Sequence, residues 1–472
     1  MANLVYGIHD RPQTGKLLVF ALQQLLAILA ATIAVPGIVG NGMTASAALF
    51  GAGVGTLVYQ LFTKFRRPVF LGSSFAFIGS MSAAFAGATA MHPDLGYLGL
   101  LFGAIFAGLI YVVIAVIVKY AGVAWINKIM PACVIGPTVA LIGLSLAGAA
   151  VNDVFSYGAK EQFGLNSYFI MGTNAWLSLL CALVTFAVVV LCSVYGKKMP
   201  KLIPFIIGIC AGYAVALVLT IIGIIAENDA MRIVDFAPFK ALVADGVKLT
   251  TFVDLPEYTF IRAFRGFKNL SGSYIATVAV AYIPVAFVVF AEHLADHKNL
   301  SSIIGQDLTE DPGLHRTLLG DGVGSIAGAF FGGCPNTTYG ESVGCVAITG
   351  NASVATIFTT ALMAIVVSFI APFVAFLDSI PGCVMGGVCI TLYGFIAVSG
   401  LKMIQKVDLE DNANLFTVSV ILITGIGGMA LAIGKVYITT VASALVLGII
   451  TNIVLHRKKA DSADAEPSDK ED

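Results

Sequence analysis

Charge is what this chain has least of. Asp, Glu, Lys and Arg make up 11% of its 472 residues, against about 25% in a soluble globular protein. The rest is rich in apolar runs of about 20 residues, the length a helix needs to cross a bilayer. A soluble fold is therefore not expected. Metal-type cysteine spacing is also missing. Cys133, Cys181, Cys192, Cys210, Cys334, Cys345, Cys383 and Cys389 fall in apolar segments, with no CxxC among them. They read as small packing residues, so no metal site, cofactor or disulfide framework is expected. No nucleophile–base arrangement, Walker loop or dinucleotide glycine pattern occurs, which argues against an enzyme. A net charge of −1 gives no basic surplus for nucleic acid. The first apolar run follows a polar lead and continues as a full span, so no cleavable signal peptide is expected.

What is present reads as an all-α membrane protein of fourteen spans. Basic residues gather in short segments: Lys64, Arg66 and Arg67; Lys119 and Lys128; Lys197, Lys198 and Lys201; Lys402 and Lys406; Arg457, Lys458 and Lys459. Short loops with this excess face the cytoplasm. An even number of crossings then puts both termini inside the cell. The loop over 227–272 is long, mixes Phe and Tyr with charge, and is expected outside as amphipathic pieces on the bilayer surface. The tail over 456–472, which includes Lys470, is charged and low in aromatics, and is expected to be disordered.

Two spans are poor helices. The stretch over 332–350 reads Gly-Gly-Cys-Pro-Asn-Thr-Thr-Tyr-Gly-Glu-Ser-Val-Gly-Cys-Val-Ala-Ile-Thr-Gly. Pro335 removes a backbone donor, and the glycines loosen the chain. Glu341 at membrane depth costs roughly 2.5 kcal/mol or more on most scales. Irregular backbone at that depth survives only inside protein or lining a cavity. The pieces on either side repeat: Pro131-Ala132-Cys133-Val134-Ile135-Gly136 matches Pro381-Gly382-Cys383-Val384-Met385-Gly386. The copies are seven spans apart, and an odd offset means two inverted seven-span halves, which place substrate sites at broken helices near the midplane. The counterpart of the Glu341 stretch is then Pro68 to Ser80, where Gly72, Ser73 and Ser74 follow an extended-looking piece. The two serines are expected to cap a half-helix. Two half-helices facing each other by their N-termini would converge free N–H groups on one spot.

The other polar residues at depth are few. Glu292 and Asp296 share a helix face at i, i+4; Asp296 is also open to reading as an interfacial residue. No Lys or Arg is expected at the depth of Glu292. His293 points off that face and reads as packed. Asp321, between Gly320 and Gly322, reads as a helix N-cap. Two carboxylates in one dry cavity make a group able to take up and release a proton, the chemistry of a carrier.

Tyr339-Gly340-Glu341-Ser342-Val343-Gly344, followed by Thr349, resembles the signature of the nucleobase–ascorbate transporter family: Gln or Glu, Asn, any residue, Gly, four residues, Thr. Gly72 to Phe77 and Ala291-Glu292-His293 resemble the same family, and Glu341 at the signature's first position is similar to its bacterial uracil permeases. The resemblance implies a homodimer in the inner membrane that imports uracil with a proton by alternating access. It implies a core domain over 1–122 and 273–378 and a gate domain over 123–272 and 379–455. Carried over, Glu292 and Glu341 would bind the N–H groups of the base. The amides of Phe75 and Gly340, with Ser74 beside them, would bind its carbonyls. Glu292, Asp296 and Glu341 would couple the proton. Two positions depart from the pattern. Ser342 stands where the family has Asn, leaving that residue's brace unfilled. Asp296 stands where some uracil permeases have His and purine carriers have Asp. The alternatives are a xanthine or other purine symporter, and an anion channel or exchanger of similar fold, which calls for a cationic site.

Overall fold

The computed structural model describes residues 4–88, 92–122, 125, 130–163, 166–244, 246–308, 310–311, 313–433 and 436–463. Lys128, Lys470 and the tail beyond 463 lie outside these. Among the described residues, 8 helices are long and apolar enough to cross a membrane. Shorter apolar helices accompany them at Phe75–Gly87, Val354–Ser368, Asn412–Ile426 and Thr440–His456. The chain is a mostly helical, multi-pass membrane protein.

Glycine explains how the helices pack. Lipid tails are as apolar as leucine, so helices associate through close contact. A Cβ on Gly51 would lie 2.4 Å from the Gly328 carbonyl oxygen, and one on Gly55 2.7 Å from that of Gly324. Helix Ala45–Phe62 thus meets Leu314–Gly332 at backbone distance. Helices Ala132–Ser145 and Gly382–Ile404 meet the same way, with Gly400 against Ala140 and Gly143 against Tyr393. The helices fall into two packed groups. One contains Thr14–Val39, Ala45–Phe62, Pro93–Ala121, Gly272–Ile304, Leu314–Gly332 and Val354–Ser368. The other contains Ala132–Ser145, Thr173–Tyr195, Pro204–Ile225, Gly382–Ile404, Asn412–Ile426 and Thr440–Ala463. They meet where Gly272–Ile304 lies against Thr440–Ala463, and where Thr14–Val39 lies against Pro204–Ile225.

The strands are short. Leu71–Ser73 pairs antiparallel with Asn336–Thr338, with Gly72 opposite Thr337. Each is followed by a helix: Phe75–Phe77 running into Ile78–Gly87, and Gly340–Thr349. Two further hairpins were not expected, Ala159–Phe163 with Asn166–Ile170 and Leu431–Ile433 with Val436–Ile438. The second takes the end of an apolar run that reads as one span, because the helix stops at Ile426 and Gly428 turns the chain at a φ of 73°.

Four other expectations change. The helix that carries Asp296, a residue open to an interfacial reading from the sequence, continues to Ile304, so Asp296 lies in its interior and not at its end. Asp321 sits in the middle of Leu314–Gly332, whose N-cap is Gly313, so it caps nothing. Neither Ser73 nor Ser74 caps the half-helix through its side chain: Ser73 is in the strand, and Ser74 makes no capping bond. The last helix continues to Ala463, into the tail read as disordered.

A Gly51→Leu change puts four carbons where the Gly328 carbonyl stands. Overpacking of this kind costs about 1–3 kcal/mol, so the thermal unfolding midpoint in detergent should fall. Gly15→Leu, with nothing within 4 Å of its Cβ, should leave it unchanged. Equal midpoints for the two variants would contradict the packing account.

Candidate functional site

Buried backbone needs partners, and a two-stranded ribbon has two open edges. Side chains of the surrounding helices close them. Thr56 accepts from the Leu71 amide at 2.9 Å and donates to its carbonyl at 3.1 Å. Ser325 donates to the Asn336 carbonyl at 2.5 Å, and the Asn336 amide group donates to Gly51 O at 3.1 Å. Gln60 donates to Arg67 O at 2.7 Å. Two backbone bonds lock the ribbon ends, Ser74 N to Pro335 O at 2.9 Å and Tyr339 N to Phe70 O at 3.2 Å. Gly72 is required by close approach, since a Cβ there would lie 2.4 Å from the Tyr339 ring. That ring is held by its hydroxyl, which donates to Ser73 O at 2.7 Å.

The ribbon aims both half-helices at one cavity of about 380 Å³, at the small end of the roughly 300–1,000 Å³ usual for small-molecule sites. Phe75, Gly340, Glu341, Glu292 and Asp296 all line it. Neither half-helix start is capped by a side chain, so their first N–H groups are left for a ligand or water. The Thr338 hydroxyl donates to Asp296 at 2.8 Å, which orients that carboxylate from the opposite strand. No Lys or Arg lines the cavity among the described residues. The site therefore offers acceptors from three carboxyl groups and donors from two backbone ends. The far wall is apolar: Val139, Ile142, Phe205, Leu392 and Phe395 come from the second packed group. Of the residues named from the sequence, Ser74 stands apart. It is fully buried behind the wall, with its hydroxyl unpartnered.

Sequence reasoning missed three features. The Ser342 hydroxyl accepts from Phe70 N at 3.0 Å and from the Gln24 side chain, so the place of the family's Asn does hold a brace. Gln24, next to Gln23 in an apolar helix, carries no sign of that partner. Second, His293 lies 2.7 Å from Asp321 through Nδ1 and 2.9 Å from Thr317 through Nε2, all buried. Third, Arg67, read as a cytoplasmic surface charge, is fully buried, and its guanidinium nitrogens have no hydrogen-bond partner among the described residues.

Comparison with known proteins matches residues 15–434 to a family model described as "Permease family". The uracil permease of Bacillus subtilis (strain 168) is 36% identical over 465 residues, covering 97% of this chain and 97% of that protein. The uracil permease of Bacillus caldolyticus is 37% identical over 458 residues, covering 96% and 95%. Among solved structures, the transmembrane domain of a cyanobacterium bicarbonate transporter, BicA, superposes with a TM-score of 0.59 at 17% identity, covering 95% of this chain and 99% of that one. That last likeness is one of fold alone. Match length, identity and the motifs that form the cavity agree: this chain belongs to the permease family, the nucleobase–ascorbate transporters, and is a membrane transport protein and not an enzyme.

Proposed function

We propose that the chain imports uracil together with a proton by alternating access across the inner membrane of a bacterial-type cell. The observation that carries this reading is the cavity's polarity: carboxylates and free half-helix amides converge on one small space without a cation. Uracil has two N–H donors and two carbonyl acceptors. An ionised carboxylate only accepts and a backbone amide only donates. Glu292 and Glu341 therefore take the N–H groups, and the amides of Phe75 and Gly340 take the carbonyls. The names of the two Bacillus relatives support the same substrate.

In this reading the chain crosses fourteen times, as two inverted seven-span halves, and works as a homodimer with both termini in the cytoplasm. The matched ribbon-and-half-helix pairs at Leu71–Gly87 and Asn336–Thr349 support the repeat. So do the helices that each begin after a proline, Pro131 and Pro381. The two packed groups support a core domain over 1–122 and 273–378 and a gate domain over 123–272 and 379–455. The site cavity runs toward Ser399 and Met403, beside Lys402. A second cavity of about 640 Å³ runs the other way, past Ser82, Ser145 and Thr440, and shares only Phe75, Ala76 and Ile142 with the first. A barrier that thin suits a carrier whose core slides against its gate to expose the site on alternate sides. Glu292, Asp296 and Glu341 carry the proton. One proton moving down about 100 mV supplies about 2.3 kcal/mol, enough for roughly 50-fold accumulation.

One observation favours a purine such as xanthine as a second reading. Asp296, the residue type of purine carriers at this position, lines the cavity and is oriented by Thr338. An anion exchanger fits poorly, because anions would meet carboxylates.

Purified protein screened against all nucleobases by thermal shift should be stabilised by uracil above the others; a larger shift with xanthine selects the second reading. Glu341→Gln should abolish uracil uptake or turn preference toward purines, since an amide both donates and accepts. Glu292→Ala should eliminate uptake. Wild-type uracil kinetics in either variant would remove that residue from the binding site.

A further inference from the structure

Away from the cavity, Gly272–Ile304 and Leu314–Gly332 enclose a second polar cluster whose hydrogen atoms can be counted. His297 is settled first. Its Nδ1 lies 2.7 Å from the His293 carbonyl, which only accepts, so Nδ1 carries a hydrogen. Its Nε2 then accepts from the Tyr59 hydroxyl at 2.9 Å. His293 is different. Its Nε2 is 2.9 Å from the Thr317 oxygen, and that oxygen is also 2.9 Å from the Leu314 carbonyl. Thr317 has one hydrogen for two neighbours. If it donates to Leu314 O, Nε2 must carry a hydrogen and donate to Thr317, while a second proton lies between Nδ1 and Asp321 Oδ2, 2.7 Å apart. If it donates to Nε2, the ring keeps only its Nδ1 hydrogen, given to the Asp321 carboxylate. The two arrangements differ by one proton, at Nε2, and by a turn of the Thr317 hydroxyl. The first is neutral overall and the second carries −1. Asp321 Oδ1 has no hydrogen-bond partner among the described residues in either.

We propose that His293, Thr317 and Asp321 form a further proton-binding site outside the substrate cavity, which by this switch exchanges the coupled proton with the cavity carboxyls Glu292, Asp296 and Glu341. None of the three lines the cavity. His293 nonetheless follows Glu292 directly on one helix, so a change of charge at its ring acts beside the substrate-binding carboxylate. The titratable groups that face the cluster are Glu292, Asp296 and His297 on its own helix, Tyr59 on Ala45–Phe62, Tyr111 on Pro93–Ala121, and Arg67. Tyr111 sets its ring edge-on to His293 with centroids 6.3 Å apart, and the His297 ring stacks on His293 at 4.0 Å. With His297 held by Tyr59 and its own helix, the His293–Asp321 pair is the part of this cluster free to change. The assignment of the coupled proton rests on the proton symport proposed above.

Asp321→Asn and Thr317→Val are tested in purified, full-length protein, with uracil as the probe. Asp321→Asn should bind uracil in equilibrium measurements yet lose uptake driven by a pH gradient by about tenfold, within the usual range for coupling between sites. Thr317→Val keeps the shape and removes the rotor, so it should displace the pH midpoint of uptake. Infrared difference spectra on a pH change should contain imidazole and carboxyl or carboxylate bands of the His293–Asp321 pair that Asp321→Asn alters and saturating uracil leaves in place. A folded Asp321→Asn with the wild-type pH profile overturns the proposal, as does a pH-difference spectrum without any band that Asp321→Asn alters. If Asp321→Asn fails to fold, Thr317→Val decides: an unmoved midpoint refutes the switch. Wild-type protein that ignores uracil overturns the substrate reading instead, and the infrared arm still reads the cluster.

Discussion

The site exists because a membrane has no water to satisfy an open backbone. An extended segment in hydrocarbon leaves N–H and C=O groups that cost several kcal/mol each. Here the ribbon of Leu71–Ser73 and Asn336–Thr338 meets that requirement within the protein. The strands pair across the ribbon, and Thr56 and Ser325 supply partners at its edges. This lets two helices begin inside the protein with N-termini that no side chain caps. The cavity's backbone donors and Glu341 come from those two starts, and helix Gly272–Ile304 adds the carboxyl groups of Glu292 and Asp296. Glycine serves the same end, since the helices that carry the edge partners approach to backbone contact at Gly51, Gly55, Gly324 and Gly328.

Much of this could be read from residue order. Pro335, Gly340 and Glu341 make an impossible spanning helix, and Gly72 to Phe77 repeats the break, so the ribbon and its half-helices were expected from local chemistry. Glu292 and Asp296 were legible from their i, i+4 spacing. What was hidden depends on partners set by packing. Gln24 and Ser342 are 318 residues apart, and neither implies the other. Asp321 between two glycines resembles a cap, and only the path of its helix shows that it faces His293. The hairpin at Leu431–Ile433 was hidden for the opposite reason. Its residues are apolar enough to continue a span, and hydropathy does not separate a strand from a helix end. Gly428 at positive φ was the available signal.

Arg67 limits how far the absence of cations can be taken. A charge at full burial without a hydrogen-bond partner is costly, and the cavity itself keeps clear of it. The guanidinium lies near the polar seam of Tyr59, His293 and His297. Charge in this chain is thus divided by location. Among the described residues, carboxyl groups line the cavity, while the Arg67 guanidinium lies outside its lining.

Ser342 shows which part of the signature the site depends on. Where the family has Asn, this chain has a shorter side chain with one hydroxyl. That oxygen can accept twice, and it does so, from Phe70 N and from the Gln24 amide group. Phe70 leads into the first strand, Ser342 lies in the first turn of the second half-helix, and Gln24 comes from helix Thr14–Val39. One hydroxyl therefore ties both discontinuous segments to a continuous helix. What the geometry needs at this position is an acceptor within reach of Phe70, and a serine supplied with a glutamine opposite meets that need. The groups that face the cavity, Glu341 and the Gly340 amide, keep their positions because the backbone is fixed there. The departure from the signature falls on the brace, and it leaves the ligand-facing chemistry intact.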